Sequence, residues 1–139
     1  MGATAPVPAR TSELSVVYIE DNLANVRLME QLAARRQGIN LSHVAQGRLA
    51  LDLITSSRPD LILWDLHLPD MSGEEVLRRL QAEAITRRIP TAAVSADASP
   101  GQIRRILEMG ASGYLTKPFD VEELLLWFDN PHRMGGESF

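Results

Sequence analysis

Five times along this chain a short unbroken apolar run is followed by a longer stretch with helical spacing, and few folds can absorb that alternation. The apolar runs fall at 15–19, 41–45, 61–64, 91–95 and 112–115. Runs such as "LILW" and "AAVS" do not alternate with polar residues, as a strand with one wet face would. They read instead as strands covered on both faces. Between them, 23–36 carries Leu28, Met29, Leu32 and Ala33 on one face and closes on Arg35, Arg36 and Gly38. The other helical stretches are 48–57, 73–83, 99–109 and 120–129; Pro100 stands near the first turn of the fourth and Gly110 just past its end. Five strands alternating with five helices predict an α/β fold: one doubly wound, parallel, five-stranded sheet with helices on both faces. Connections between its strands should be right-handed crossovers.

With 139 residues the chain suits one domain with a real core. The expected division is a flexible segment over 1–12, a folded domain over 13–130 and a flexible tail over 131–139. There is no cysteine, which excludes disulfides and thiolate metal sites and suits a cytoplasmic protein. No apolar stretch approaches membrane-spanning length, and "MGATAPVPAR" lacks the apolar core of an export signal. Gly2 is not followed by the Ser or Thr that myristoylation needs, because position 6 is Pro6. A net charge of −4 argues against a nucleic-acid surface, and the paired arginines are spread among acids on helical stretches.

The strand ends carry the chemistry. "VVYIEDN" ends on Glu20 and Asp21, and "PDLILWDLHLPD" drives a buried run into Asp65. In open parallel sheets ligands bind outside the carboxyl ends of the strands, so these acids should converge. Two like charges about 4 Å apart repel by roughly 4 kcal/mol at an effective dielectric near 20. Three carboxylates in one cleft must therefore bind a cation or raise a pKa. Hard oxygen ligands favour magnesium, which takes one or two carboxylates, keeps several waters and shares its remaining positions with phosphate. The fourth strand ends on Ser95, a hydroxyl donor, and Lys117 follows the fifth. Each of these residues alone has an ordinary explanation as a turn or surface residue. Together a carboxylate, a metal, a hydroxyl and an ammonium are what an aspartyl phosphate requires.

"YIEDN", "LILWDLHLPDMSG", "VSADA" and "GYLTKPF", in this order and at the family's usual intervals, resemble the motifs of the response-regulator receiver domain, the phospho-acceptor module of bacterial two-component signalling. The likeness runs from about 14 to 128. It implies a flavodoxin-like (βα)5 fold with strand order 2-1-3-4-5. It implies Asp65 as the phosphorylated residue, with Glu20, Asp21, Asp65 and the backbone carbonyl of His67 around magnesium. The His67 ring as a ligand is disfavoured, having no second histidine nearby. Ser95 becomes the switch hydroxyl, Lys117 the charge partner of the phosphoryl group and Tyr114 the aromatic that turns inward. Pro118 matches a position often cis in the family, and Pro69 and Gly73 fit the turn after Asp65.

The resemblance further implies a histidine kinase or histidine phosphotransfer protein as phosphodonor, meeting the first helix. The switched surface would be the fourth helix, fifth strand and fifth helix, about 99–129, facing a downstream protein partner as a monomer or a phosphorylation-dependent dimer. "EDNLANVRLMEQL" and "LHLPDMSGEEVLRRL" are most similar to receivers attached to hybrid sensor kinases. The last helix is short, and no effector domain follows it in this sequence. Asp97 is a candidate for setting the lifetime of the phosphate, which such a signalling domain, rather than an enzyme, loses by autodephosphorylation. Two other readings are a pseudo-receiver that only docks and a magnesium phosphohydrolase of the haloacid-dehalogenase type. The latter usually carries a second Asp two residues after its nucleophile, where this chain has His67.

Overall fold

A computed structural model describes residues 13–132. The terminal segments expected to be flexible, 1–12 and 131–139, lie outside the described residues except for Pro131 and His132. The strands are β1 (Leu14–Ile19), β2 (Ile39–Val44), β3 (Leu61–Asp65), β4 (Thr91–Ser95) and β5 (Gly113–Thr116). They form one sheet in the order β2-β1-β3-β4-β5, every pair parallel, as the resemblance implies. The helices are α1 (Leu23–Ala33), α2 (Gly47–Ser57), α3 (Gly73–Ala82), α4 (Ala84–Arg87), α5 (Pro100–Glu108) and α6 (Val121–Asp129). Among the described residues there are thus six rather than five. The extra one, α4, is a single turn pinned by the buried Thr86 hydroxyl, which donates to Leu80 O at 2.7 Å. The fourth helix, fifth strand and fifth helix of the sequence reading correspond to α5, β5 and α6.

Side chains of a strand alternate between its two faces, and the core divides accordingly. Val16, Tyr18, Leu61, Leu63, Ala92 and Val94 meet Met29 and Leu32 of α1 and Leu124, Trp127 and Phe128 of α6. Val17, Ile19, Ile62, Trp64 and Ala93 meet Ile54 of α2, Val76, Leu77 and Leu80 of α3, and Ile106 of α5. Every residue of β3 and β4 is buried, which is why both read as unbroken apolar runs. Edge strand β2 exposes Asn40, Ser42 and His43, so it starts two residues and ends one residue earlier than the apolar run at 41–45 suggests. Helix α1 stops at Ala33 rather than 36; Arg35 and Arg36 form the turn that leads to Gly38, whose φ of 83° suits glycine. Asn22, Ser72 and Asp120 cap α1, α3 and α6 through their side chains.

The winding reverses between β1 and β3: the chain leaves β1 for β2 on one side and returns to β3 on the other. The carboxyl ends of these two strands therefore border the crevice where a sheet of this type receives its ligands.

Candidate functional site at the carboxyl edge of the sheet

The register of β1 on β3 pairs Ile19 with Trp64, so the next residues, Glu20 and Asp65, are neighbours. Parity sends both side chains to the face shared by Tyr18 and Leu63. Both carboxylates are buried, Glu20 at 1% exposure and Asp65 at 6%. One ammonium serves them: Lys117 Nζ donates to Asp65 Oδ2 at 2.6 Å and to Glu20 Oε1 at 2.9 Å. Lys117 reaches them from the end of β5, where its N–H donates to Ser95 O at 2.9 Å and its bond to Pro118 is cis.

The remaining oxygens are also engaged. Glu20 accepts from the Tyr18 hydroxyl at 2.9 Å and from Asn22 N–H at 3.2 Å; Asp65 Oδ1 accepts from His67 N–H at 2.7 Å. The two acids respond differently. At Asp65 burial, reinforced by the Glu20 charge, outweighs the bonds from Lys117 and His67 and raises the pKa. At Glu20 burial also disfavours the charge, but Lys117, Tyr18 and Asn22 together outweigh it and lower the pKa. Burial works against the Lys117 charge as well, yet Asp65 and Glu20 hold its pKa above the ordinary value. Tyr18 is pushed far up by its burial and by Glu20, so it stays a donor. The sequence reading missed Tyr18. Period-two spacing from Glu20 could have found it.

Asp21 is exposed and lines an open cleft with Leu66, His67, Leu68 and Asp70. Among the described residues no three His, Asp or Glu side chains are drawn together as a finished metal cage. The donor set nevertheless fits a hard cation: the buried Glu20 and Asp65 share the Lys117 ammonium, the exposed Asp21 follows Glu20 directly, and magnesium needs only one or two carboxylates. The His67 main chain lies at this site, its N–H donating to Asp65 Oδ1.

Ser95, at the end of β4, is 1% exposed. Its hydroxyl accepts from Asp97 N–H at 3.1 Å, and among the described residues its own proton has no acceptor. The half-buried Tyr114 of β5 donates its hydroxyl to Asp97 O at 2.6 Å. The Asp97 carboxylate accepts from Ser99 N–H at 2.9 Å, ahead of α5, and that bond lowers its pKa. Every site residue expected from the sequence thus lies along one edge of the sheet, with Asp21 and Asp97 on its exposed rim.

A second missed residue is Asp70. Its carboxylate accepts from the N–H groups of Gly47 and Arg48 at 2.8 and 2.9 Å, capping α2 from another segment. Burial opposes the charge there, but the Arg48 and Gly47 bonds prevail and keep the carboxyl below its ordinary value. A contact between distant segments leaves no local signal.

Comparison with known proteins agrees with this geometry. The family described as the response regulator receiver domain matches residues 16–128. The polar-differentiation response regulator DivK of Brucella anthropi is 39% identical over 111 residues, covering 80% of this chain and 89% of that protein. The receiver domain of a sensor histidine kinase from Pseudomonas aeruginosa PAO1, solved with magnesium coordinated in its active site cleft, is 30% identical with a TM-score of 0.77, covering 91% of this chain and all of that one. A phosphorylated cyanobacterial phytochrome response regulator, RcpA, is 26% identical with a TM-score of 0.75, covering 88% and 93%. Among the described residues no helix is long and apolar enough to cross a membrane. With the family match spanning most of the chain and the strand-end residues gathered at one edge, this protein belongs to the response regulator receiver domains of two-component signalling.

Proposed function

We propose that this chain is a cytoplasmic phospho-acceptor that takes a phosphoryl group onto Asp65 from the phosphohistidine of a histidine kinase or histidine phosphotransfer protein. One observation carries the reading: the buried Asp65 carboxylate ends a central strand with the Lys117 ammonium 2.6 Å from its Oδ2. An Asp65 oxygen attacks phosphorus and forms the new O–P bond as the N–P bond of the donor breaks; the imidazole nitrogen keeps the electron pair and is protonated. Lys117 follows the charge from the carboxylate to a phosphoryl oxygen, and Ser95, whose proton has no acceptor among the described residues, donates to another. Magnesium, held by Glu20, Asp21, Asp65 and the His67 carbonyl, would supply further positive charge to the phosphoryl oxygens. The rest is positioning, which the strand ends provide.

Ser95 turning toward the phosphoryl group gives up the Asp97 N–H, and Tyr114 is tied to the same residue through Asp97 O. Phosphorylation thereby biases the surface of α5, β5 and α6 toward a form that a downstream partner, or a second copy, recognises. The phosphate is later lost by hydrolysis, with Asp97 near the path of the attacking water.

Intact mass after incubation with acetyl phosphate and magnesium tests this. The expected result is one added phosphoryl group, absent from Asp65→Ala and lost on standing. No adduct from acetyl phosphate or from a phosphorylated phosphotransfer protein would overturn it in favour of a docking module.

A further inference from the structure

Helix α2 starts without a cap of its own. The Gln46 side chain makes no capping bond, yet Gly47 and Arg48 both donate to Asp70. The first N–H groups of a helix need acceptors, and a carboxylate there also meets the positive end of the helix dipole. Asp70 stands in the segment 66–72 that joins Asp65 to α3. A second, independent contact ties that segment to the same place. A Cβ on Gly47 would lie 2.7 Å from Met71 Cγ and 3.0 Å from Val76 Cγ2, so only glycine lets Met71 come this close. The ends of the segment close on themselves, with Gly73 N–H donating to Leu66 O at 2.9 Å and His67 bridged to Ser72. Its far side meets α2 through Asp70 and Met71.

We infer that Asp70 is a positioning residue: bound across to the start of α2, it holds the segment after Asp65 in the shape that keeps the His67 main chain against the Asp65 carboxylate. The bond it protects is His67 N–H to Asp65 Oδ1, at 2.7 Å. A ligand shell is tuned by the groups that orient it, so loss of the tether loosens the acceptor without touching it. In its functional part this inference rests on the phospho-acceptor reading; in its structural part it does not.

Asp70→Ala removes two things at once, the cap of α2 and the tether. Adding Gln46→Asp restores a cap from the N-cap position itself, whose extended backbone suits one, and leaves the tether broken. Amide hydrogen exchange and acetyl phosphate labelling are then followed in the wild type, Asp70→Asn, Asp70→Ala and the double variant. In the double variant the α2 amides and the melting temperature return to wild-type values. His67 and Gly73 amides still exchange about tenfold faster, and labelling is about tenfold slower. Asp70→Asn, with one acceptor oxygen left, falls between. A double variant that matches the wild type in both exchange and labelling would overturn the inference and leave Asp70 as a cap alone. Should the wild type itself take no phosphoryl group, the acceptor reading fails while His67 exchange still decides the tether.

Discussion

The two edges of this sheet are made from the same strands and handle their polar groups in opposite ways. At the amino edge the strand ends and loops are joined by mostly neutral bonds. Leu14 N–H donates to Gly38 O and Ile62 N–H to Pro90 O; Ser112 N–H donates to Thr91 O, and Thr91 N–H returns to the Ser112 hydroxyl. The acid there, Asp60, accepts from Ser15 N–H at 2.8 Å and is exposed. At the carboxyl edge two buried carboxylates share one ammonium, and a buried hydroxyl keeps its proton uncommitted among the described residues. One edge spends its hydrogen-bonding capacity on closure, and the other keeps charge unbalanced where a ligand arrives. Loss of labelling should therefore be confined to substitutions at the carboxyl edge, and substitutions at the two edges can break that division.

The largest effect is expected from Lys117→Met. It leaves Glu20 and Asp65 buried side by side without a cation, and breaking a buried pair costs about 3–5 kcal/mol. Losing the donor that meets the phosphoryl charge should slow labelling by about a hundredfold or more. Urea unfolding in the presence of a chelator and timed intact mass check the two parts. A folded variant that labels at the wild-type rate would remove Lys117 from the chemistry.

Gly113→Ala is the counterpart at the other edge. A Cβ there would lie 2.1 Å from Trp127 Cζ2, and overpacking of this kind costs about 1–3 kcal/mol. Labelling by the folded fraction should stay within about a factor of two, because a site remote from the chemistry is energetically independent of it. Slow labelling in a fully folded variant would mean that the two edges are coupled through the sheet.

A smaller effect of opposite sign is expected for Asp65→Ala. Burial first, and Glu20 second, raise the Asp65 pKa on folding, so the ionised acid destabilises the folded chain near neutrality. Its stabilising contribution exists below its unfolded pKa and is lost as pH rises through its folded one. Glu20, lowered by Lys117, Tyr18 and Asn22 against its burial, contributes stability above its unfolded pKa and loses it as pH falls. In the wild type these opposing slopes meet across the carboxylate range. Asp65→Ala removes the first and leaves Glu20 alone with Lys117, so its urea midpoint at pH 7 should exceed the wild type's and rise more steeply from pH 3 to 6. A lower midpoint at pH 7 would mean that the bonds to Lys117 and His67 outweigh desolvation after all.

The division between the edges also bears on what could be read from the residues. β3 and β4 were legible because burial on both faces leaves unbroken apolar runs, and the acids were legible because Asp65 interrupts one. β2 was displaced because an edge strand with polar residues facing water gives no such run. α4 was invisible because one turn has no period and depends on Thr86 reaching Leu80 O. At the site, residue types and order singled out Glu20, Asp21, Asp65, Ser95 and Lys117 as candidates, and the fold brings them to one edge of the sheet. Types and order could not reveal that Lys117 bridges both acids, or that Asp70 caps a helix beginning at Gly47, since both are facts of tertiary placement.

The smallest expected effect concerns the rim of the carboxyl edge. Asp97 stands two residues after Ser95, and under the proposed function its carboxylate would attract the water that attacks an aspartyl phosphate. In this structure, however, the carboxylate accepts from Ser99 N–H at 2.9 Å and turns the chain into α5. Reorienting the carboxylate toward that water would cost this bond, whose net worth is about 1 kcal/mol. Asp97→Ala should therefore leave the rate of labelling unchanged and lengthen the phosphate half-life by less than about tenfold, well short of what a fully placed general base contributes. Chasing labelled protein into buffer free of acetyl phosphate and timing the mass loss measures this directly. An unchanged lifetime would confine Asp97 to the turn before α5; a lengthening of a hundredfold or more would mean that the Ser99 bond opens readily once Asp65 carries its phosphoryl group.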